Sequence, residues 1–541
     1  MTASPPDPRR VRDLAAALGI PETVCAVLVV RGIHGPDPAK DHLRPLLDHL
    51  GPPDGLRDAD RASARLLRAV AEGETVLVHG DYDVDGISAT ALYTRWLRRL
   101  GGRVEPFIPH RLRDGYDFGS AGLEAARSAG ATVVLTADCG TVAHDAVERA
   151  GAAGLDVIVT DHHTPGDALP PALAVVNPNR ADCDYPDGGL SGAGVAFKLC
   201  SQMALDAGVP FEELVPDLDL VALATVADLV PLQGENRVLV RYGLRALERT
   251  TKPGLRALLD LTGRTGKPVG TGQVAFGLAP RINAVGRMGH GLDALRLLLT
   301  DDADRARELA VLLDETNRVR QEEDRRTLDE ALDLLARDYD PGSDFGVVLA
   351  AEGWHPGVIG IVASRIVERI HRPTVLVALD GERGRGSARS IPGFHLHDAV
   401  RSCARHLERF GGHRQAAGMD LRRDRVPAFR EAFGRVARER LGEDDLRPRL
   451  RIDLETGLGG LDLRTCDVLE YLGPHGVGNP RPVFLVRNVR VVGSPRVVGS
   501  GHLKMRLGDG TTTLEAIGFG LAERHGPRVS EGSRVDAVFQ L

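Results

Sequence analysis

From residue 75 onward, short apolar runs recur at regular intervals, each ending in glycine or polar residues: TVLVHGD (75–81), VEPFIPH (104–110), TVVLTADC (132–139), DVIVTDHH (156–163) and ALAVVNPN (172–179). They are rich in Val and Ile, and their length and abrupt ends predict buried strands. Stretches with helical periodicity lie between them, at 87–100, 120–129 and 142–153. Strands alternating with helices predict an open, mostly parallel α/β sheet. Residues 191–250 read as mainly helical. The stretch 303–338 alternates charge signs and lacks Gly and Pro, which predicts one long exposed helix joining two bodies. A second α/β unit follows at about 344–440, with FGVVLAAE, a helix at 357–370 and PTVLVALD. Beyond 448 the pattern shortens to PVFLVRNVRVVG, HLKMRLGD, TTLEAIGFG and SRVDAVFQL, which predicts a small antiparallel barrel.

The fold class is therefore α/β: two α/β lobes joined by a long helix, plus a C-terminal all-β barrel. At 541 residues the chain has room for such a division. The expected boundaries are 1–70 for a lead-in with a helical piece near 58–72, 71–250 for the first lobe, 251–340 for a helical connector, 341–445 for the second lobe and 446–541 for the barrel. No apolar run approaches the 18 or so residues of a membrane span. The first twenty residues contain no apolar signal core, so a cytoplasmic protein is expected. Six cysteines without CxxC spacing exclude a zinc ribbon and a disulfide framework, and fit a reducing compartment. A net charge of −7 argues, by itself, against a nucleic-acid partner.

The chemistry lies at the strand ends. The first strand runs into His79-Gly80-Asp81-Tyr82-Asp83-Val84-Asp85-Gly86, the third into Asp138, and the fourth into Asp161-His162-His163. A further apolar segment, LVALATVADLVPL, carries Asp228. Ligands of open parallel sheets bind beyond the carboxyl ends of the strands, so these residues are expected in one crevice. So many carboxylates cannot all be ionised close together without cations. Carboxylate and imidazole donors without thiolate favour Mn²⁺ or Mg²⁺, and two such ions make a hydrolytic centre for phosphate esters.

HGDYDVDG, TADCG, VTDHH and ATVADLVPL resemble the four motifs of the DHH phosphoesterase superfamily. PRINAVGRM (280–288), GWHPGVIGIVASRI (353–366), GSARSI (386–391), GGHRQAAGM (411–419) and PHGVGNPRPVF (474–484) narrow the resemblance to the RecJ family of single-strand-specific DNA exonucleases. The resemblance runs from about residue 70 to the C-terminus. It implies a DHH catalytic domain, a DHHA1 substrate-binding domain and an OB-like nucleic-acid-binding barrel. It implies that His79 and Asp83 hold a first metal ion, that Asp85, His162 and Asp228 hold a second, and that Asp138 bridges them. It further implies that His163 contacts the scissile phosphate or assists the leaving oxygen, with Asp161 and Asp81 orienting neighbouring groups.

On the substrate side the resemblance points to His413 and Arg414 in the glycine-rich GGHRQAAGM, and to Arg111, Arg281, Asn283, Ser387 and Arg389 around a terminal 5′-phosphate. Arginine suits that role through its planar fork, although the same arginines can form interdomain ion pairs. Trp354-His355 can stack on a base or simply pack. The charge objection weakens on inspection. Residues 361–440 hold seventeen arginines against nine carboxylates, a local +8, which leaves −15 for the rest of the chain. Four barrel strands are expected, with the chain stopping inside the fourth, so the closing strand implied by the resemblance is missing. An incomplete barrel, one completed by a partner, and a fragment all fit. Phe484, Phe519 and Phe539 are expected to pack in the barrel core. The implied activity is 5′→3′ hydrolysis of single-stranded DNA in recombination and repair, with single-strand-binding protein and a helicase as partners. A relative degrading short oligonucleotides and an inactive DNA-binding scaffold are the alternatives.

Overall fold

A computed structural model describes residues 5–541. In the first lobe, β1 (Thr75–Gly80), β2 (Arg103–Phe107), β3 (Val133–Ala137), β4 (Asp156–Thr160) and β5 (Ala174–Val176) form one parallel sheet in the order β2-β1-β3-β4-β5. The chain leaves β1 to one side for β2 and returns on the other side for β3. The connections at the carboxyl ends of β1 and β3 therefore diverge and leave a crevice. Pairing of His79 with Thr136 and of Gly80 with Ala137 brings the ends of these two strands to one level.

The helix Val84–Arg99 packs against the sheet with almost no polar side. Its Tyr93 and Trp96 are wholly buried in a core shared with the helices Gly192–Asp206 and Leu218–Ala227. The opposite face of the sheet is covered by Ser120–Ser128 and His144–Ala152.

The expected long helix is Ala303–Asp338, capped by Asp302, whose side chain accepts from the backbone of Asp304 and Arg305. It is exposed on one side only. Ala306, Leu309, Ala310, Leu313, Ala331 and Leu335 recur at helical spacing and are buried against both lobes. The outer face carries Arg–Glu pairs three and four residues apart, such as Arg326 with Glu323 and Glu330.

The second lobe holds β6 (Val347–Glu352), β7 (Thr374–Asp380), β8 (Arg383–Arg389), β9 (Arg409–Gly412) and β10 (Ala416–Arg422), in the order β6-β7-β8-β10-β9. Only β6 and β7 are parallel. One face packs on the helix Val426–Arg440 through Phe429 and Phe433. The helix Ile359–Ile370 covers part of the other through Val362 and Ile366.

The C-terminal module has six strands where four were expected: β11 (Leu454–Glu455), β12 (Phe484–Val491), β13 (Arg496–Val498), β14 (His502–Gly508), β15 (Thr513–Gly518) and β16 (Arg534–Phe539). β16 pairs with β12, with a register shift between Val486 and Val489. Phe484 and Phe539 sit in or beside the core, but Phe519 is 72% exposed, with its ring edge-on to His502. The lead-in is also more than expected. The helices Pro8–Leu18, Glu22–Val30 and Pro36–Leu43 share a core with this module, placing Val24 and Leu28 with Leu454, Leu458 and Phe484. Arg31 donates to Asp453, Asn479 and the Pro480 carbonyl. Among the described residues, no helix is long and apolar enough to cross a membrane.

Candidate metal centre and phosphate pocket

The expected cluster assembles at the β1/β3/β4 ends. Asp83 caps the helix Val84–Arg99, accepting from the amides of Asp85 and Gly86 at 2.9 and 3.1 Å. Asp85 accepts from Gly192 and Ala193 at the start of the next buried helix, both at 2.7 Å. Gly86 is obligatory, since a Cβ there would lie 2.5 Å from the Asp81 backbone nitrogen. Asp138 has φ +65°, a strained region for a non-glycine residue that turns its carboxylate into the crevice.

Three groups of donor atoms converge within metal-binding distance of one another: Asp85, His162 and Asp228; Asp138, His162 and His163; and Asp81, Asp83 and Asp138. The first is the set expected for the second ion. The third includes Asp81, which was expected only to orient a neighbour. His162 Nε2 stands 3.1 Å from Asp138 Oδ1, 3.7 Å from Asp85 and 3.6 Å from Asp228, and makes a hydrogen bond to none of them. His79 lies outside these groups. It is buried between Phe107 and Phe118, with Nδ1 3.6 Å from the Cys139 sulfur and Nε2 unpartnered.

Burial, followed by mutual repulsion, pushes Asp81, Asp85, Asp138 and Asp228 above the usual carboxylate range. The residues fit two divalent cations on these grounds. Buried donor atoms on His79, Asp81, Asp138 and His162 lack partners, and the donors are all carboxylate or imidazole.

Asp161 faces the other way. Burial raises its pKa, but a 2.7 Å bond from His163 Nδ1 and backbone amides outweigh this and hold it at about 2. Its carboxylate also accepts from the Thr141 amide. Burial lowers the pKa of His163, and the hydrogen bond and charge of Asp161 outweigh it, giving about 9. Pairing with Asp161 therefore favours the protonated ring. Tyr116 Oη lies 3.3 Å from its Nδ1, and the His413 ring of the second lobe is stacked 6.3 Å away. Two residues missed from sequence anchor this loop: Asn177 and Asn179 donate to the His163 and His162 carbonyls. VVNPN ends a strand as the other motifs do, which was the available signal.

The arginines separate. Arg111 lies over Tyr82, 4.8 Å from its centroid. Arg389 donates to Ser387 Oγ and the Ala388 carbonyl, and both side chains pack against Gly360 at the start of a helix. Arg281 is turned away, bonded to Asp314 of the connector helix and to the Gly277 carbonyl. Asn283 accepts from the Val84 amide, fixing the first motif rather than facing solvent. Arg414 is exposed and, among the described residues, its side chain forms no pair. Arg287, passed over in the same PRINAVGRM motif, instead donates to the Gly357 carbonyl of the second lobe and lies within the electrostatic reach of Arg111 and Arg389. Burial and then the charges of Arg111, Arg389 and Arg320 depress its pKa to about 10. Such crowding of half-buried cations favours an anion between them. Trp354 is nearly all buried and donates to Glu330, so it packs, with only a small edge lining the cavity beside it.

Comparison with known proteins agrees with this layout. Family models match at residues 75–225 (DHH family, N-terminal domain), 344–439 (DHHA1 domain) and 452–541 (RecJ OB domain). The single-stranded-DNA-specific exonuclease RecJ of Dickeya dadantii is 38% identical, over 92% of this chain and 90% of its own length. That of Thermus thermophilus is 40% identical over 92% of this chain and 70% of its own. The crystal structure of Thermus thermophilus RecJ in complex with Mn²⁺ superposes with a TM-score of 0.84 at 33% identity, covering all of this chain and 78% of that one.

Proposed function

The chain belongs to the RecJ family, and from that premise we propose that it is a Mn²⁺- or Mg²⁺-dependent exonuclease that removes mononucleotides from single-stranded DNA in the 5′→3′ direction, in cytoplasmic recombination and repair. Single-strand-binding protein and a helicase are the partners this role implies. The observation that carries the reading is the convergence of Asp81, Asp83, Asp85, Asp138, His162 and Asp228 in one crevice beside an arginine pocket.

His79, Asp81, Asp83 and Asp138 would hold one ion, and Asp85, Asp138, His162 and Asp228 the other. When bound, such ions neutralise phosphate charge and lower the pKa of water. The protein's own groups do the rest. Arg111, Arg287, Arg389 and Ser387 grip the terminal 5′-phosphate, and so set which bond lies over the carboxylates. His163, oriented by Asp161, presents a proton at Nε2 to the departing 3′ oxygen. His413 closes over it from the second lobe. Asp138→Ala should reduce hydrolysis of a 5′-labelled single strand by at least about 10³-fold with either metal, and chelator should abolish the wild-type rate. Activity that survives both would overturn the reading.

A further inference from the structure

The cleft does not end at the phosphate pocket. Alternate residues of a strand share a face and lie about 6.6 Å apart. On β8 that face carries Arg389 and Ser387, then Arg385 and Arg383. The side chains of the last two are exposed and, among the described residues, form no hydrogen bond or ion pair. Beside Ser387, across β10 and β9, stand Gly418 and Gly411, and a Cβ at either would meet nothing within 4 Å. Further along the same face, Arg385 and Arg383 line a cavity of about 1080 Å³. Beside Trp354 and His355, on the loop after β6, its arginines are matched in number by the carboxylates of Glu323, Asp380, Glu408 and Asp420; Arg409 pairs with Asp420 and Arg326 with Glu323, which leaves Arg385 and Arg383 as the unpaired cations. It lies away from Asp228, beside which the barrel loop docks through the Leu232 amide and the Val477 carbonyl.

A nuclease gripping a 5′-phosphate with several arginines must release a nucleoside 5′-monophosphate at every step, while the remaining strand fills the barrel side. We propose that this cavity is the release route and transient binding site of that mononucleotide, with Arg385 and Arg383 drawing its phosphate off Arg389. The proposal rests on the exonuclease reading above. Its volume is of the size that takes a small ligand, and the two arginines without a carboxylate partner, Arg385 and Arg383, suit a phosphate.

Two measurements test it. Of the two tryptophans, Trp96 is wholly buried in the first lobe and Trp354 is in the cavity wall, so intrinsic fluorescence reports on the cavity. In chelator, deoxyadenosine 5′-monophosphate should quench it saturably and deoxyadenosine should not. The double substitution Arg383→Glu/Arg385→Glu should weaken the quench at least tenfold, and the lysine pair should restore it. No quench, or a quench indifferent to the charge reversal, overturns the site. The same glutamate variant should turn over at least fivefold more slowly in the steady state, while its single-turnover release of the first nucleotide stays within twofold of wild type. Equal losses in both, or in neither, overturn the release route. A wild-type chain without single-turnover hydrolysis would instead fail the exonuclease reading, leaving the fluorescence titration to judge the cavity.

Discussion

Gly192 carries no side chain because Asp138 stands where one would go: a Cβ there would lie 2.5 Å from Asp138 Cβ and 2.6 Å from its Oδ1. Gly192→Ala should displace Asp138 by a fraction of an ångström and cost about 10²-fold in metal-dependent turnover, with unchanged circular dichroism. Normal turnover would show that Asp138 need not stand where it does. A different residue governs acid stability. Hydrogen bonds from Arg65 first, and from Thr132, hold the Glu74 carboxyl at about 2 against an ordinary 4.5. A depressed carboxylate stabilises the fold above its unfolded pKa, and that contribution fades as pH falls from about 4.5 toward 2. Glu74→Gln should lower the melting temperature at pH 7 and flatten its decline across that window; a constant offset from wild type at every pH would contradict the linkage. At this scale the acidic ligands were legible because each motif ends a strand. Arg287 was not. Two arginines six residues apart in one helical motif look alike in sequence, and only the Asp314 partner on a helix far along the chain decides which one turns away.

The helix Ala279–Met288 presents both of those arginines, one to the connector and one to the second lobe. If Arg287 holds the terminal phosphate, Arg287→Ala should cut kcat/KM on 5′-phosphorylated single strands by about 10–100-fold, the worth of a charge-assisted bond. It should do little on 5′-hydroxyl strands. Arg281→Ala should leave that preference intact and lower the melting temperature modestly. The reverse pattern would return the pocket to Arg281. Elements with strong periodicity were read well: the run without Gly or Pro is the helix Ala303–Asp338, and the Val-rich runs are β1 to β7. The strands RGRGSAR and RFGG were not seen. Glycine and arginine have little strand propensity; RGRGSAR is held in register by Val375 and Val377 on one side and Met419 on the other, and RFGG pairs at the sheet edge, with Met419 beside Phe410. Their poverty in side chains is what leaves the floor open for a nucleotide. The lead-in helices were hidden for a related reason, since their apolar faces are matched by a module more than 400 residues away.

Across the whole molecule, charge is divided between the two lobes. The first lobe brings buried carboxylates, and the second brings a local +8 over 361–440. A net charge of −7 therefore coexists with a locally cationic second lobe, and cations in the crevice would remove the opposing field. Affinity for single-stranded DNA should then depend steeply on salt despite an acidic pI of about 6.2. Each phosphate neutralised adds about 0.7 to the slope of log K against log salt. With Ca²⁺ or another non-supporting cation in the crevice, and a 5′-phosphorylated strand, Arg389→Ala should lower that slope by about 0.7 and weaken binding at every salt concentration. On a 5′-hydroxyl strand the same substitution should leave the slope nearly unchanged, because no terminal phosphate remains to be neutralised. Equal slope changes on both strands would place Arg389 on an internal phosphate, and with it the bond that lies over the carboxylates would shift by one nucleotide.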